Sequence, residues 1–269
     1  RISFSALLGS LIDSKRSDLS MRLPLAAYRF KPLTDWPAFE GGRGTAHFVN
    51  QRASIELVDS DFGGISVSKL TGRQSIEGGK DIEIDGQVSG AAPRVLAILD
   101  AAGVKPESLG SQILLDGHLR GDIDMVMSVG ESLNGRVLIE ADNLTVSSVH
   151  LSEQFTEVSG KAEFRLHDGL YTDLLSGRLL GNPVEAIVTI AGGVTDVRGK
   201  ARLQSQHINQ MARLGLNDRQ LYGQSDWIVR WRGENQEWKL SAETDGRGLG
   251  SRLPYPLGKE PQMPGNVVL

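Results

Sequence analysis

Three pairs of carboxylates stand two residues apart: Asp59 and Asp61, Glu83 and Asp85, Asp122 and Asp124. Positions i and i+2 of an extended strand share a face, so each pair could hold a metal ion or divide the acid and base roles of a hydrolase. The carboxylates, however, alternate with the residues of an apolar face and so stand on the wet side of their strands. No histidine lies at a ligand spacing from them. Solvated strand surface is the better account.

The five histidines, His47, His118, His150, His167 and His207, are scattered, and none belongs to a metal-binding pair of the HExxH kind. Cysteine is absent, which removes thiol nucleophiles and disulfides. No Gly-x-Ser-x-Gly elbow occurs. Gly246-Arg-Gly-Leu-Gly250 superficially resembles a phosphate loop, but it lacks the Lys-Ser/Thr pair and no helical pattern follows, so it reads as a turn. Asn143-Leu-Thr145 has the letters of a glycosylation sequon and is read as chance. Trp227, Trp231 and Trp238 could stack on a sugar, although tryptophans at such spacing more often fill a core. Met125 and Met127 suit an adaptable apolar surface and an ordinary core equally. No set of residues calls for catalysis, a metal or a cofactor.

With 29 basic and 33 acidic residues the net charge is -4, which leaves no basic field for nucleic acid. No stretch reaches the ~18 apolar residues of a membrane span. The most apolar window, 91–104, is interrupted by Pro93, Arg94 and Asp100. Ile2 to Ile12 has the length of a signal-peptide core but lacks an initiator methionine and a cleavage site, and is expected to belong to the mature fold. The chain itself reads as a piece of a longer protein.

Period-two alternation dominates. Ile123, Met125, Met127 and Val129 occupy alternate positions, as do Trp227, Val229 and Trp231, then Trp238, Leu240 and Ala242, then Ala162, Phe164 and Leu166. The residues between them are mostly charged or hydroxylated. One face apolar and the other wet predicts antiparallel strands. A phrase of glycine, polar, small or branched apolar, polar, apolar begins at Gly44, Gly121, Gly135, Gly160 and Gly199. Each glycine reads as a turn glycine feeding a strand; Gly44 and Gly160 are expected at a turn or strand entry that tolerates side chains poorly, with a positive φ.

The phrases repeat at long range. Phe39, Gly44, Ala46 and Phe48 match Phe155, Gly160, Ala162 and Phe164 at a spacing of 116; Asp59 and Gly63 match Asp173 and Gly177 at 114; Gly86, Val95 and Ile98 match Gly199, Ile208 and Met211 at 113. The last set falls in two segments with helix boundary signals. Pro93 to Ala102 is followed by Gly103, and Ser205 to Leu214 by Gly215. The expected organisation is a unit over 1–104 with a helix near 93–102, a second over 105–215 with a helix near 205–214, and a truncated third over 216–269, all in one continuous structure.

Met21-Arg-Leu-Pro24-Leu25, Pro32-Leu-Thr-Asp-Trp36-Pro37-Ala-Phe39-Glu-Gly41 and the run from Asp245 through Leu249, Leu253 and Pro254 to Lys259 resemble, in their order along the chain, phrases of AsmA-like proteins of the YhdP type. The resemblance covers roughly residues 18 to 261. It implies a mainly β fold: a long antiparallel sheet curled into a half-pipe, or β-groove, built from these repeats with one short helix each. It further implies a periplasmic protein, tethered to the inner membrane by a segment absent here, that carries phospholipid acyl chains toward the outer membrane and supports its barrier. No catalytic motif is implied, and protein partners are not indicated.

Ile123, Met125, Met127, Val129, Val137, Ile139, Ala162, Phe164 and Leu166 are the expected groove lining. The rival reading is a structural or adhesive β-repeat protein with a closed, dry core. A carbohydrate-active β-enzyme is a weaker rival, since no carboxylate pair has the required placement. Alternation alone does not separate groove from sandwich.

Overall fold

The computed structural model describes residues 20–26, 28–30, 37–49, 52–75, 81–101, 113–128, 133–148, 151–212, 219–234, 237–254, 257–265 and 267–268. Ile2 to Ile12, Pro32 to Trp36, Ala102, Gly103, Val129, His150, Leu214 and Gly215, named above, lie outside these residues.

Among the described residues eighteen strands form one antiparallel sheet. In chain order they are β1 (Ser20–Ala26), β2 (Arg29–Phe30), β3 (Phe39–Glu40), β4 (Arg43–Val49), β5 (Arg52–Phe62), β6 (Ile65–Ser75), β7 (Asp81–Ala91), β8 (Ile113–Ser128), β9 (Leu133–Ser148), β10 (Leu151–Arg165), β11 (Gly169–Thr172), β12 (Leu175–Leu179), β13 (Asn182–Ala191), β14 (Val194–Gln204), β15 (Leu221–Glu234), β16 (Glu237–Thr244), β17 (Leu249–Ser251) and β18 (Val267–Val268). Two helices, α1 (Ala92–Ala101) and α2 (Ser205–Ala212), follow β7 and β14 without a break.

The topology from β4 to β16 is an up-and-down meander of neighbours in the chain, flanked by β1 against β4, the short β2–β3 pair against β5, and β18 against β16. β4 to β10 pair in sequence. β11 and β12 act as one interrupted strand between β10 and β13. β13 to β16 continue the series, and β17 extends the line of β16 along β15. Such pairing follows from short turns between alternating strands. Asp59, Asn143 and Glu157 take left-handed backbone angles inside strands, which bends them and raises the local twist.

The two helix-bearing stretches share an order of elements. In each, three paired strands precede the helix and a long strand returns after it. Gly86 stands six residues before α1 and Gly199 six before α2; Ile98 and Met211 are both the seventh helical residue. Each helix has one apolar side against the sheet. Ile98 joins a cluster with Phe39, Leu57, Phe62, Val67 and Leu70. Val95 packs with Leu119 and Leu144, and Ile208 with Leu203, Trp227 and Leu249. Helices this short are stabilised by such packing rather than by their own hydrogen bonds.

Gly44 stands at the entry of β4 and Gly160 deep inside β10, both with no room for a side chain, and none of the five phrase glycines is in a turn. Gly44, Gly121, Gly135, Gly160 and Gly199 all lie inside strands. The reason for glycine is close approach across the sheet. A Cβ at Gly44 would stand 2.7 Å from the Glu56 carbonyl oxygen, and one at Gly199 2.7 Å from that of Glu185. Gly160 does have a positive φ, +147°, whereas Gly44 does not and is fixed by space alone. Nor are Gly63 and Gly177 equivalent: the first is in a turn with φ +61° and the second is inside β12.

Candidate functional site: an apolar stripe across the sheet

Register carries the apolar positions across the sheet in rows. One row runs Leu25, Gly44, Leu57, Leu70, Gly86, Ile123, Val137, Phe164, Leu170, Ile190, Thr195, Gly233, Trp238, each residue the cross-strand partner of the next. Thirteen strand segments at ~4.8 Å spacing make a track of roughly 60 Å along the sheet.

The structure brings most of the expected lining together on this face. Ile123, Val137 and Phe164 share the long row. Ile139 and Ala162 are partners in the next row, with Val88 and Gly121. Met125 lies between Ile84 and Gly135 on the other side, and the Leu166 N–H donates to the Gly135 carbonyl. Met127 is in register with Ile82 and Leu133. Ile123, Met125, Val137, Ile139 and Ala162 are half-buried, while Phe164 and Leu166 are buried.

Sequence reading missed the continuation of the rows through Leu25, Leu57, Leu70, Ile84, Val88, Leu170 and Ile190. The same alternation was there to be counted, as in Asp81-Ile82-Glu83-Ile84-Asp85. It also missed the polar groups on this face. Thr195 and Ser225 are almost wholly buried, and neither hydroxyl has a hydrogen-bond partner.

The opposite face is charged. Lys69, Gln87, Asp122, Leu138, Glu163, Tyr171, Thr189, Asp196, Arg232 and Lys239 form one of its rows. Arg136 bonds Asp124 at 3.2 Å, Arg43 bonds Asp59 at 3.1 Å, and Asp61 accepts from the Gly64 N–H in a turn. Asp85 lies 3.9 Å from Arg73. Asp59, Asp85 and Asp124 therefore serve cross-strand ion pairs, and Asp61 a turn. The Arg165 hydrogen bond holds the Glu163 carboxyl below its ordinary value, against the opposing effect of burial. Burial pushes the Asp196 carboxyl up, but hydrogen bonds from Arg230 and Arg198 outweigh it and hold the group below its ordinary value.

Among the described residues no group of three or more His, Cys, Asp or Glu is placed to hold a metal ion. His207 bonds Asn182 at 3.0 Å. The Gly246–Gly250 segment turns its carbonyls toward a cation, with Lys259 Nζ donating to Gly246 O at 2.6 Å and Leu249 O at 2.8 Å. A phosphate loop presents N–H groups instead. Burial lowers the pKa of that ammonium, with Asp245 opposing. Trp227 is a core residue, 1% exposed. Trp231 and Trp238 pack on each other, centroids 4.5 Å apart. Two clefts, of about 540 and 870 Å³, open on the charged face: one beside Asp122 and Leu138, the other beside Asp226 and Ile228.

No helix among the described residues is long and apolar enough to cross a membrane. Comparison with curated proteins and with solved structures gives no match. A family model described as YhdP protein matches residues 11–267. With nearly the whole chain matched and the curled antiparallel sheet in place, the chain belongs to the YhdP protein family.

Proposed function

We propose that this chain is a section of a lipid conduit. It would be part of a periplasmic protein, anchored in the inner membrane by a segment outside this sequence, that passes phospholipids toward the outer membrane and sustains its barrier. Acyl chains lie along the apolar rows while headgroups remain in water.

The observation that carries this reading is the half-exposure of the apolar face over β7, β8 and β9. Ile82, Ile84, Ile123, Met125, Val137 and Ile139 are only partly buried, and no second sheet covers them among the described residues. In a closed sandwich these positions would be dry. Shielding is the task such a surface can perform: each methylene withdrawn from water is worth ~0.8 kcal/mol, so a ~16-carbon chain gains on the order of 12 kcal/mol. A continuous surface supplies this without any single essential residue.

Met125→Asp tests the reading. On an open face the new carboxylate reaches water. The variant is then expected to keep its β-sheet signal and a melting temperature within a few degrees of the parent, while losing most co-purifying phospholipid. Photocrosslinking from a probe at Ile139 should fall with it. If the face is instead the dry core of a structural or adhesive repeat, the buried charge costs several kcal/mol and the variant unfolds. A parent chain that never captures lipid would also favour that rival.

A further inference from the structure

We infer that the loop over 251–265 is a contact for a lipid bilayer surface, entered at headgroup depth by Leu257 and Met263. It concerns the membrane as a surface and stands apart from the apolar rows, which would hold single lipids.

A loop ordinarily relies on water to satisfy its backbone N–H groups. Here that reliance is small. Four of the chain's ten prolines stand at 254, 256, 261 and 264 and carry no N–H. Most of the other N–H groups are bonded within the chain. Ser251 and Lys259 each donate to the other's carbonyl at 2.8 Å, Arg252 donates to Gln220 O, Leu253 to Ser251 Oγ, and Gly265 to Asp245 O. Two turns close on themselves, with the Leu257 N–H on Pro254 O and the Met263 N–H on Glu260 O. The Lys259 stem passes between Gly246 and Gly265, where a Cβ would stand 3.4 and 3.0 Å from its Cε. Its ammonium holds the Gly246 and Leu249 carbonyls, and Leu249 is seated in the cluster of Trp227 and Ile208.

On this braced frame the last residue of each turn faces water: Leu257 is 65% exposed and Met263 57%. Single exposed aliphatic side chains are ordinary; the frame beneath these two sets them apart. An apolar tip whose backbone is already ordered docks without the cost of ordering it. The backbone also decides between occupants. A protein groove or an added strand offers hydrogen bonds to the loop. A lipid surface offers few, so N–H groups that are absent or already paired lower the cost of entry. Glu260, exposed and between the tips in sequence, keeps that entry shallow.

The chain holds no cysteine, so a single dye can be placed at will. A solvatochromic dye on Leu257→Cys should shift to the blue with vesicles of phosphatidylethanolamine and phosphatidylglycerol, while the same dye on Glu140→Cys, on the charged face, should not. The Leu257→Ser, Met263→Ser double variant loses only exposed side chains. It should keep the parent's melting temperature and its lipid crosslink at Ile139, yet sediment with these vesicles at least ten-fold less. Met125→Asp should show the reverse, sedimenting like the parent without the crosslink. An unshifted dye at 257, or equal sedimentation of parent and double variant, overturns the contact and leaves the conduit reading standing. Loss of sedimentation in Met125→Asp would place the vesicle contact on the apolar rows and overturn it too. A blue shift at 257 that grows with protein concentration in the absence of vesicles would assign the tips to a second copy of the chain instead.

Discussion

Inside β9, Gly135 has φ +144°, and a Cβ there would come within 2.5 Å of Met125 Cα and 2.6 Å of the Asp124 carbonyl oxygen. Gly181 has φ +76° but nothing within 4 Å. The first needs glycine for space and angle, the second for angle only. Gly135→Val should therefore cost several kcal/mol by displacing neighbouring backbone, and Gly181→Ala about 1 kcal/mol. Urea titration of the two variants checks the ordering, and equal costs would show that close approach is not what fixes Gly135. Asp196 gives a pH signature. Its carboxyl is held below the ordinary 3.8, so the folded state binds fewer protons than the unfolded one. Its contribution to stability is present above that ordinary value and is lost as pH falls through the lowered one. The melting temperature of the parent should exceed that of Asp196→Asn at pH 7 and at pH 5, with the difference shrinking below about pH 4. A constant difference down to pH 2 would mean that the two arginines do not read the charge.

Helices α1 and α2 close the strand ends that precede them, and their worth lies in single apolar contacts. Ile208 is buried against Trp227 and Leu249, whereas Gln206 is exposed. Ile208→Ala should cost ~2–4 kcal/mol and Gln206→Ala within about 0.5 kcal/mol, as read by denaturant midpoints. These elements were legible from sequence because their signals are local. Ser205 at a start and apolar residues at 95, 98, 208 and 211 are visible without knowing any partner. Alternation likewise told the face of Ile123 and Met125. The turn reading of the phrase glycines failed because a glycine at a turn and one facing a neighbour's carbonyl look alike in one strand, although their intolerance of side chains was legible. Only the register of Gly44 against Leu57, or of Gly199 against Ala186, separates them. For the same reason the Gly233–Trp238 contact could not be foreseen from alternation.

At the scale of the molecule, nearest-neighbour pairing makes the fold quasi-one-dimensional, and its stability is a sum of local interfaces. The clusters around Leu57 and around Trp227 share no residue. Leu57→Ala should therefore loosen β4 to β7 at a lower denaturant concentration than it affects β14 to β16. Indole fluorescence, in which Trp227, Trp231 and Trp238 report the latter, should lag the loss of sheet circular dichroism. Coincident transitions would instead indicate all-or-none unfolding of the whole sheet.

The meander from β4 to β16 also makes this chain a ruler with even graduations. Because successive strands run in opposite directions, a hairpin can be inserted or excised without rethreading any other strand. The apolar side chains downstream keep their face as long as the turn positions are kept. Each such edit changes the reach by two strand spacings, roughly 10 Å. A single strand removed would leave the next connection at the wrong rim. Length in such a sheet is thus quantised in pairs of strands, and sheets of this architecture can differ by whole hairpins.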